Sequence, residues 1–258
     1  MGRRIGVAAL VGSLAPAGVA RADHDMAMSE NHHGEVSELS VGLAVEAAEF
    51  DTRSYVGSYQ AVTPSVGWMR GRFGAGAALS LYHLDENGRS LYGPGDAMLT
   101  GHVAVLRDDA IQAGAAVHVM LPSGSELDNL GMGHTMAMAG AWATWRARPL
   151  TVTASAGYAR ALVGDTGAHD HGAMPLVDPM NLQEATWSAS AAVDVGRGVQ
   201  VGGRALGGVA IGTGTSRVIG SGRVAWGTPR VSTGLEVQLG LAGDPFTIRG
   251  VLDTALRF

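Results

Sequence analysis

The sequence predicts an all-β protein: a transmembrane antiparallel β-barrel of about 12 strands, preceded by a cleaved signal peptide. The first observation behind this prediction is period-2 alternation, which is clearest from Ile111 to Tyr158. There, apolar residues take every second position and small or polar residues lie between them. The second is that tight turns alternate with longer loops, as in outer-membrane barrels. The third is a complete alternating strand ending on Phe258, typical of the C-terminal assembly signal of such barrels.

Composition limits the classes of protein that the chain could be. Of 258 residues, 39 are glycine and only 16% are charged, which fits neither a helical bundle nor a disordered chain. No mature segment offers the roughly 18 consecutive apolar residues of a spanning helix, so any crossing must use strands. The net charge of −5 argues against nucleic acid as a partner. The absence of cysteine excludes disulfides, thiolate metal sites and a cysteine nucleophile.

The N-terminus predicts export. Residues 1–22 combine a basic start, a short apolar run and an Ala20-Arg21-Ala22 end, which together indicate a secretory signal peptide cleaved after Ala22. An N-terminal membrane anchor is the weaker alternative, because the apolar run is short. Residues 23–37 then form a His- and Met-rich tail without periodicity, and residues 38–258 form the barrel.

Alternation places the strands in order along the barrel. The predicted strands cover residues 38–47, 55–69, 73–81, 96–106, 111–121, 136–145, 150–158, 187–195, 199–205, 218–226, 231–241 and 248–258. Longer loops at Asp51, Asp85, Pro122, Gly164, Gly212 and Gly243 all fall at one end, and the tight turns fall at the other. We therefore expect both termini at the periplasmic end.

Charged residues test which face of each strand meets lipid. They lie opposite the apolar rows, and an Arg facing lipid at the bilayer midplane would cost about 2–4 kcal/mol. We therefore expect a lumen with paired charges, formed by Glu46, Asp194, Arg204, Arg223, Glu236 and Asp253. His102, His118 and Met120 are expected on luminal faces of neighbouring strands. A soluble β-sandwich would alternate too, but its core would need larger residues than Ala and Gly.

Three short motifs carry a resemblance to a known family. They are Gly95-Asp96-Ala97-Met98-Leu99, Val119-Met120-Leu121-Pro122-Ser123-Gly124 and Leu130-Gly131-Met132-Gly133-His134, followed by Gly157-Tyr158. In this respect the chain resembles the outer-membrane transporters named for the meta-cleavage pathway of phenol degradation, over roughly residues 38–258. The resemblance implies an outer-membrane channel for small, often hydrophobic solutes. The His and Met content of this chain departs from that pattern.

Histidine and methionine suggest a second hypothesis, because imidazole and thioether groups suit copper and similar ions. Candidate ligands for copper or zinc are His24, Met26, Met28, His32, His33, His134, His169, His171 and Met174. A second group contains Met132, Met136 and Met138, and the sequence leaves the facing of Met136 and Met138 open. A polar spacer or solvated loop would contain such residues as well.

The predicted function is an outer-membrane channel or transporter for small solutes, without enzymatic activity and without a resident cofactor. Its expected partners are outer-membrane lipid, the outer-membrane assembly machinery, and a small solute or metal ion. A heavy-metal binding or efflux barrel is one alternative, and a lipid hydrolase is another. For hydrolysis, the strand histidines His83, His102 and His118 have no evident serine partner in the sequence.

Overall fold

The computed structural model describes residues 37–51, 56–162, 180–212 and 216–258, which form one antiparallel sheet. The predicted signal peptide and most of the tail therefore lie outside the described residues. The strands are β1 (Ser37–Asp51), β2 (Val56–Arg70), β3 (Phe73–Ala78), β4 (Leu81–Glu86), β5 (Arg89–Pro94), β6 (Ala97–Arg107), β7 (Ile111–Leu121), β8 (Thr135–Ala147), β9 (Leu150–Leu162), β10 (Gln183–Gly196), β11 (Val199–Ala210), β12 (Arg217–Gly227), β13 (Val231–Ala242) and β14 (Phe246–Arg257).

The sheet closes on itself, because β1 pairs with β2 on one side and with β14 on the other. Two crossings of the wall are each split into two short strands: β3 and β4 form one crossing, and β5 and β6 form the next. Both β3 and β4 pair with β2, whereas β6 pairs with β3 and β5 pairs with β4. The wall is therefore a closed barrel of 12 antiparallel crossings, which confirms the predicted fold class. The described residues contain no helix of the length and hydrophobicity needed to cross a bilayer.

Connections differ between the two ends of the barrel. At one end, the turn end, short connections cover residues 71–72, 108–110, 148–149, 197–198 and 228–230. The other end, the loop end, includes the described loop of residues 122–134 between β7 and β8. Ser37 and Phe258 also lie at the turn end, where the backbones of Leu39 and Phe258 are hydrogen-bonded to each other.

One predicted loop was wrong. The chain from Asp85 to Gly95 forms a hairpin rather than a loop, because β4 continues to Glu86 and β5 returns from Arg89. Asn87 and Gly88 make the turn with φ of 49° and 81°. Asn-Gly is the pair preferred in two-residue hairpin turns, where both residues need positive φ. That dipeptide was the signal in the sequence that the prediction overlooked.

The outside of the barrel carries an apolar band. Large aliphatic side chains between 42% and 55% exposed occupy alternate positions of β1 and β13, namely Val41, Leu43, Val45, Leu235, Val237 and Leu239. Residues between them point inward and are mostly buried. Because apolar residues face outward while ionic ones are buried, the barrel has the inside-out polarity of a membrane-spanning wall.

Candidate functional site

The inside of the barrel has two chemically different walls, and the first is ionic. Arg223 donates two hydrogen bonds to the Asp253 carboxylate, at 2.6 and 2.9 Å, in the bidentate geometry that suits guanidinium. Arg204 lies 3.0 Å from Glu236, whose other oxygen is 3.7 Å from Arg223. These residues lie on β11 to β14, so that the pairs cross strand boundaries. We call this set, Arg204, Arg223, Glu236 and Asp253, the ionic wall.

A second set of polar contacts lies nearer the loop end, and its side chains are more deeply buried than those of the ionic wall. Arg217 and Glu184 form an ion pair at 2.9 Å in which both side chains are fully buried. Arg249 donates to the Gln238 side chain at 2.8 Å and to the Tyr59 hydroxyl at 3.1 Å. The partners in each of these contacts thus come from different strands. Buried charged and polar side chains therefore occupy this part of the barrel interior.

The predicted lumen charges lie as follows. Glu46, Glu236 and Asp253 are buried on inward rows, and Arg204 and Arg223 are largely buried beside them. Asp194 belongs to an inward row at the turn end, where its carboxylate accepts a hydrogen bond from the Gly196 backbone N–H at 2.8 Å. Sequence reasoning missed Arg217, Glu184 and Arg249, although their places in the alternation mark them as inward too.

The second wall is formed by methionine. A buried cluster, which we call the thioether cluster, contains Met98, Met120, Met132, Met136, Met138 and Met180 with Ala159 and Ala161. This answers the question of facing that the sequence left open, since Met136 is fully buried and Met138 is 4% exposed. Their neighbours Ala137 and Ala139 occupy the other face of β8.

The predicted luminal histidines lie on the same side of the barrel. His118 is 4% exposed and is paired in register with Met138 on β8 and with Thr100 on β6. His102 is half-buried on β6, and His134 is buried at the end of the loop before β8. Met120, the third residue of that prediction, belongs to the thioether cluster.

A buried carboxylate fastens the 122–134 loop to the barrel. Asp96 lies between β5 and β6 and accepts hydrogen bonds from the backbone N–H groups of Met132, at 2.7 Å, and Gly124, at 3.0 Å. The Ser123 hydroxyl adds a bond to the Gly95 carbonyl at 2.8 Å. Gly131 has no room for a Cβ, because that atom would collide with the Asp96 carboxylate. We call this arrangement the Asp96 latch.

The latch explains three motifs that the sequence analysis took as marks of family resemblance. Gly95-Asp96 supplies the acceptor, Ser123-Gly124 one donor, and Gly131-Met132 the other. The first motif is separated from the other two by β6 and β7, and the 122–134 loop brings them back to Asp96. These motifs therefore have a structural role, which is to hold the loop at the barrel mouth.

Because of the latch, the loop points inward. Leu130 is 2% exposed and belongs to a buried cluster with Phe50, Tyr59, Tyr82, Leu84, Leu206, Ile219 and Phe246. These residues come from β1, β2, β4, β11, β12 and β14, so the cluster extends across the barrel at its loop end. The tip of the same loop faces outward, with Leu127 94% exposed. The loop thus narrows the mouth with an apolar contact.

On the outer surface, the structure corrects one prediction. His83 does have a serine partner: its Nε2 lies 2.7 Å from the Ser90 hydroxyl, and its Nδ1 lies 2.6 Å from the Gln60 side-chain oxygen. The ring also stacks on Tyr92 at 4.3 Å between centroids. The sequence hid this contact because Ser90 lies on β5, in the hairpin that the prediction treated as a loop. The contacts join β2, β4 and β5.

The predicted metal ligands are only partly within the structure. His24, Met26, Met28, His32, His33, His169, His171 and Met174 lie outside the described residues. Across the described ranges, no group of three or more His, Cys, Asp or Glu residues could hold a metal ion. His134 is thus not accompanied by such a group. Methionine is not one of these four residue types, so the thioether cluster is considered separately as a metal site.

No protein-family model matches the sequence, and no curated protein matches it. Among solved structures, the chain is similar to the KdgM porin, with a TM-score of 0.54, 7% identity, and coverage of 85% of this chain and 99% of that chain. It is similar to the NanC porin, with a TM-score of 0.51, 11% identity, and coverage of 84% and 98%.

A third similar structure is the translocator domain of the autotransporter NalP from Neisseria meningitidis. Its TM-score is 0.53 at 11% identity, and the match covers 88% of this chain and 90% of that one. At such low identity the likeness concerns the fold alone. The chain therefore has the β-barrel fold found in outer-membrane porins and in an autotransporter translocator domain.

Proposed function

We propose that this protein is an outer-membrane channel for small solutes, with a narrow passage restricted at its outer mouth. The observation that carries the proposal is the closed 12-crossing barrel whose interior is lined by paired charges on one side and by thioethers on the other. An apolar outer band with a buried ionic interior suits a wall between lipid and a passage. The likeness to porins supports the proposal, although a translocator domain shares the fold.

Orientation and delivery follow from the same proposal. Tight turns and both ends of the barrel would face the periplasm, and the 122–134 loop would face outward. The predicted signal peptide would direct export, and the alternating strand that ends on Phe258 would be recognised by the assembly machinery.

The lumen favours a small solute over a large one. In the described residues the loop end is filled by the Leu130 cluster and by buried pairs such as Arg217 with Glu184. A solute must therefore pass where side chains move, next to the ionic wall on one side and the thioether cluster on the other. Small molecules with a polar and an apolar face fit such a path. The predicted resemblance to transporters named for phenol degradation would imply solutes of the same class, small molecules with an apolar face.

The experiment is reconstitution of the mature protein in liposomes, with swelling rates measured for solutes of graded size. A second variant replaces residues 124–131 by a short Gly-Ser linker, and heat-modifiable migration in SDS gels shows that it has folded. We expect slow permeation by the wild type and faster permeation by the variant, for small solutes only. Impermeable liposomes with both folded proteins would refute the channel.

The proposal includes the absence of enzymatic activity, and the Ser90 contact makes that testable. A serine beside an oriented histidine is the arrangement of a hydrolase nucleophile. We expect neither the wild type nor Ser90→Ala to hydrolyse phospholipid or aryl esters, and both to permeate solutes equally. Ester hydrolysis that is lost in Ser90→Ala would contradict this part of the proposal.

A further inference from the structure

We propose that the thioether cluster, together with His118, is a binding site for one soft monovalent cation, Cu(I) or Ag(I). This inference goes beyond the proposed channel, since binding at the barrel wall does not depend on permeation. It concerns described residues of the barrel and of the 122–134 loop, and not the His- and Met-rich tail.

Strand register brings the candidate ligands together. Met98, Met120 and Met136 are consecutive partners across β6, β7 and β8. In the next inward row, His118 is the partner of Met138. Side chains directly opposite each other on neighbouring antiparallel strands have Cβ atoms about 4.5–5.5 Å apart. Four thioethers and an imidazole therefore share one patch of the inner wall.

His118 is the feature that a simple apolar core does not explain. Both of its ring nitrogens are buried, and neither has a hydrogen-bond partner among the described residues. A buried polar atom without a partner is energetically unfavourable, and such groups call for an explanation such as a bound ion. A cation next to the thioethers would use a ring nitrogen as a ligand. His118 on β7 is flanked in register by Met138 on β8 and by Thr100 on β6.

The concentration of methionine is also unusual for a filler. Six of the seven methionines in the described part of the chain belong to this one cluster, and Met69 is the exception. Aromatic residues, leucine and isoleucine, with better-defined rotamers, fill the mouth around Leu130 instead. Methionine adapts its shape and supplies a polarizable sulfur, which leucine cannot do.

Chemistry selects the class of ion. The ligands are neutral thioethers and one imidazole, and the described residues bring no carboxylate-rich group to them. Soft thioether ligands select Cu(I), whereas hard cations such as Mg²⁺ and Ca²⁺ require oxygen. A neutral, buried set of ligands also favours a single positive charge over a double one, because desolvation costs rise steeply with charge. Ag(I) shares this chemistry and needs no reductant.

The Asp96 latch bears on the same site. Its carboxylate holds the backbone N–H of Met132 at 2.7 Å, and the Met132 side chain is a member of the thioether cluster. The loop that narrows the mouth therefore also covers the cluster. An ion bound there would be shielded from bulk water by the latched loop.

The test is isothermal titration of the full mature protein in detergent with Ag(I), in a chloride-free nitrate buffer. The test variant is Met120→Leu with Met136→Leu, which conserves volume, and the matched control is Met69→Leu. We expect the test variant to bind one equivalent less than the wild type and the control to bind the same number. Ag(I) bound by the tail contributes equally to all three proteins. Equal stoichiometry and affinity in the wild type and the test variant would overturn the site.

A second readout identifies the ligands. X-ray absorption at the copper edge of the Cu(I)-loaded protein should show sulfur neighbours, with fewer of them in the Met120→Leu, Met136→Leu variant. His118→Leu should remove a nitrogen neighbour. A copper spectrum that neither substitution changes would contradict the assignment. Because neither measurement involves permeation, impermeable liposomes with intact Ag(I) binding would refute only the proposed channel.

Discussion

The Asp96 latch can be opened by a single substitution, Asp96→Asn. The carboxylate accepts two backbone hydrogen bonds, from Met132 and Gly124, at 2.7 and 3.0 Å. Hydrogen bonds to a charged group contribute about 1.5–3 kcal/mol each. Asparagine keeps one acceptor oxygen and turns an N–H donor toward the other backbone donor, so that one of the two bonds is lost.

Loss of one such bond would weaken docking of the loop by about 1.5–3 kcal/mol, which corresponds to a roughly 10- to 150-fold larger open population. Native-state hydrogen exchange reports this population directly. We expect the amides of Gly124 and Met132 to exchange faster by that factor in Asp96→Asn. Permeation of small solutes should rise with it, because Leu130 leaves the mouth when the loop opens.

The control is Asp128→Asn in the same loop, whose carboxylate accepts a bond from the Ser125 hydroxyl at 2.8 Å and lies 4.0 Å from the Arg89 guanidinium on β5, an exposed contact that contributes little to docking. This variant should exchange and permeate like the wild type. Our reasoning about the latch fails if the amides of Gly124 and Met132 exchange at the wild-type rate in folded Asp96→Asn. It fails equally if both variants accelerate exchange to the same extent.

Further predictions concern the mouth, the ionic wall and the outer band. Leu130→Ala should lower thermal stability through a loss of about 2–5 kcal/mol and raise permeation, whereas the exposed Leu127→Ala should change neither. Asp253→Asn breaks the bidentate pair with Arg223 and should lower the free energy of unfolding by at most about 3–5 kcal/mol, because water that reaches Arg223 reduces the loss. The temperature at which the folded band shifts to the unfolded band in SDS gels measures this change. Leu43→Arg on the lipid face should cost about 2–4 kcal/mol in denaturant unfolding from vesicles, and an unchanged transition would place β1 outside the membrane.

Alternation predicts the fold well because it reports a local property of each strand. On β1 and β13, large aliphatic residues occupy one face without interruption, so that facing and strand identity follow directly. The same rule located Glu46, Glu236 and Asp253 on inward rows. It left the facing of Met136 and Met138 open because Ala137 and Ala139 are apolar as well, and burial by partners on β7 and β9 decides their facing.

Contacts between distant segments lie beyond such a rule. The Asp96 latch joins residues 28 and 36 positions apart, and nothing in the alternation of either segment indicates that they meet. The pairing of Arg217 with Glu184, 33 positions apart, likewise joins two strands, β12 and β10, that flank β11 in the sheet, and alternation along either strand does not indicate it. In contrast, the hairpin turn at Asn87-Gly88 is a local signal, because Asn-Gly is the pair that two-residue hairpin turns prefer.

Because two crossings are split into short strands, one strand edge is left unpaired that a continuous strand would have paired. Within the described sheet, β5 pairs only with β4, so one backbone edge of this short hairpin has no neighbouring strand. Such an edge can recruit an extended segment from another molecule. Arg89 at one end of β5 and Pro94 at the other discourage this, since charge repels a partner and proline offers no N–H. Both residues thereby disfavour a continuous β-ribbon between this edge and the same edge of a neighbouring barrel.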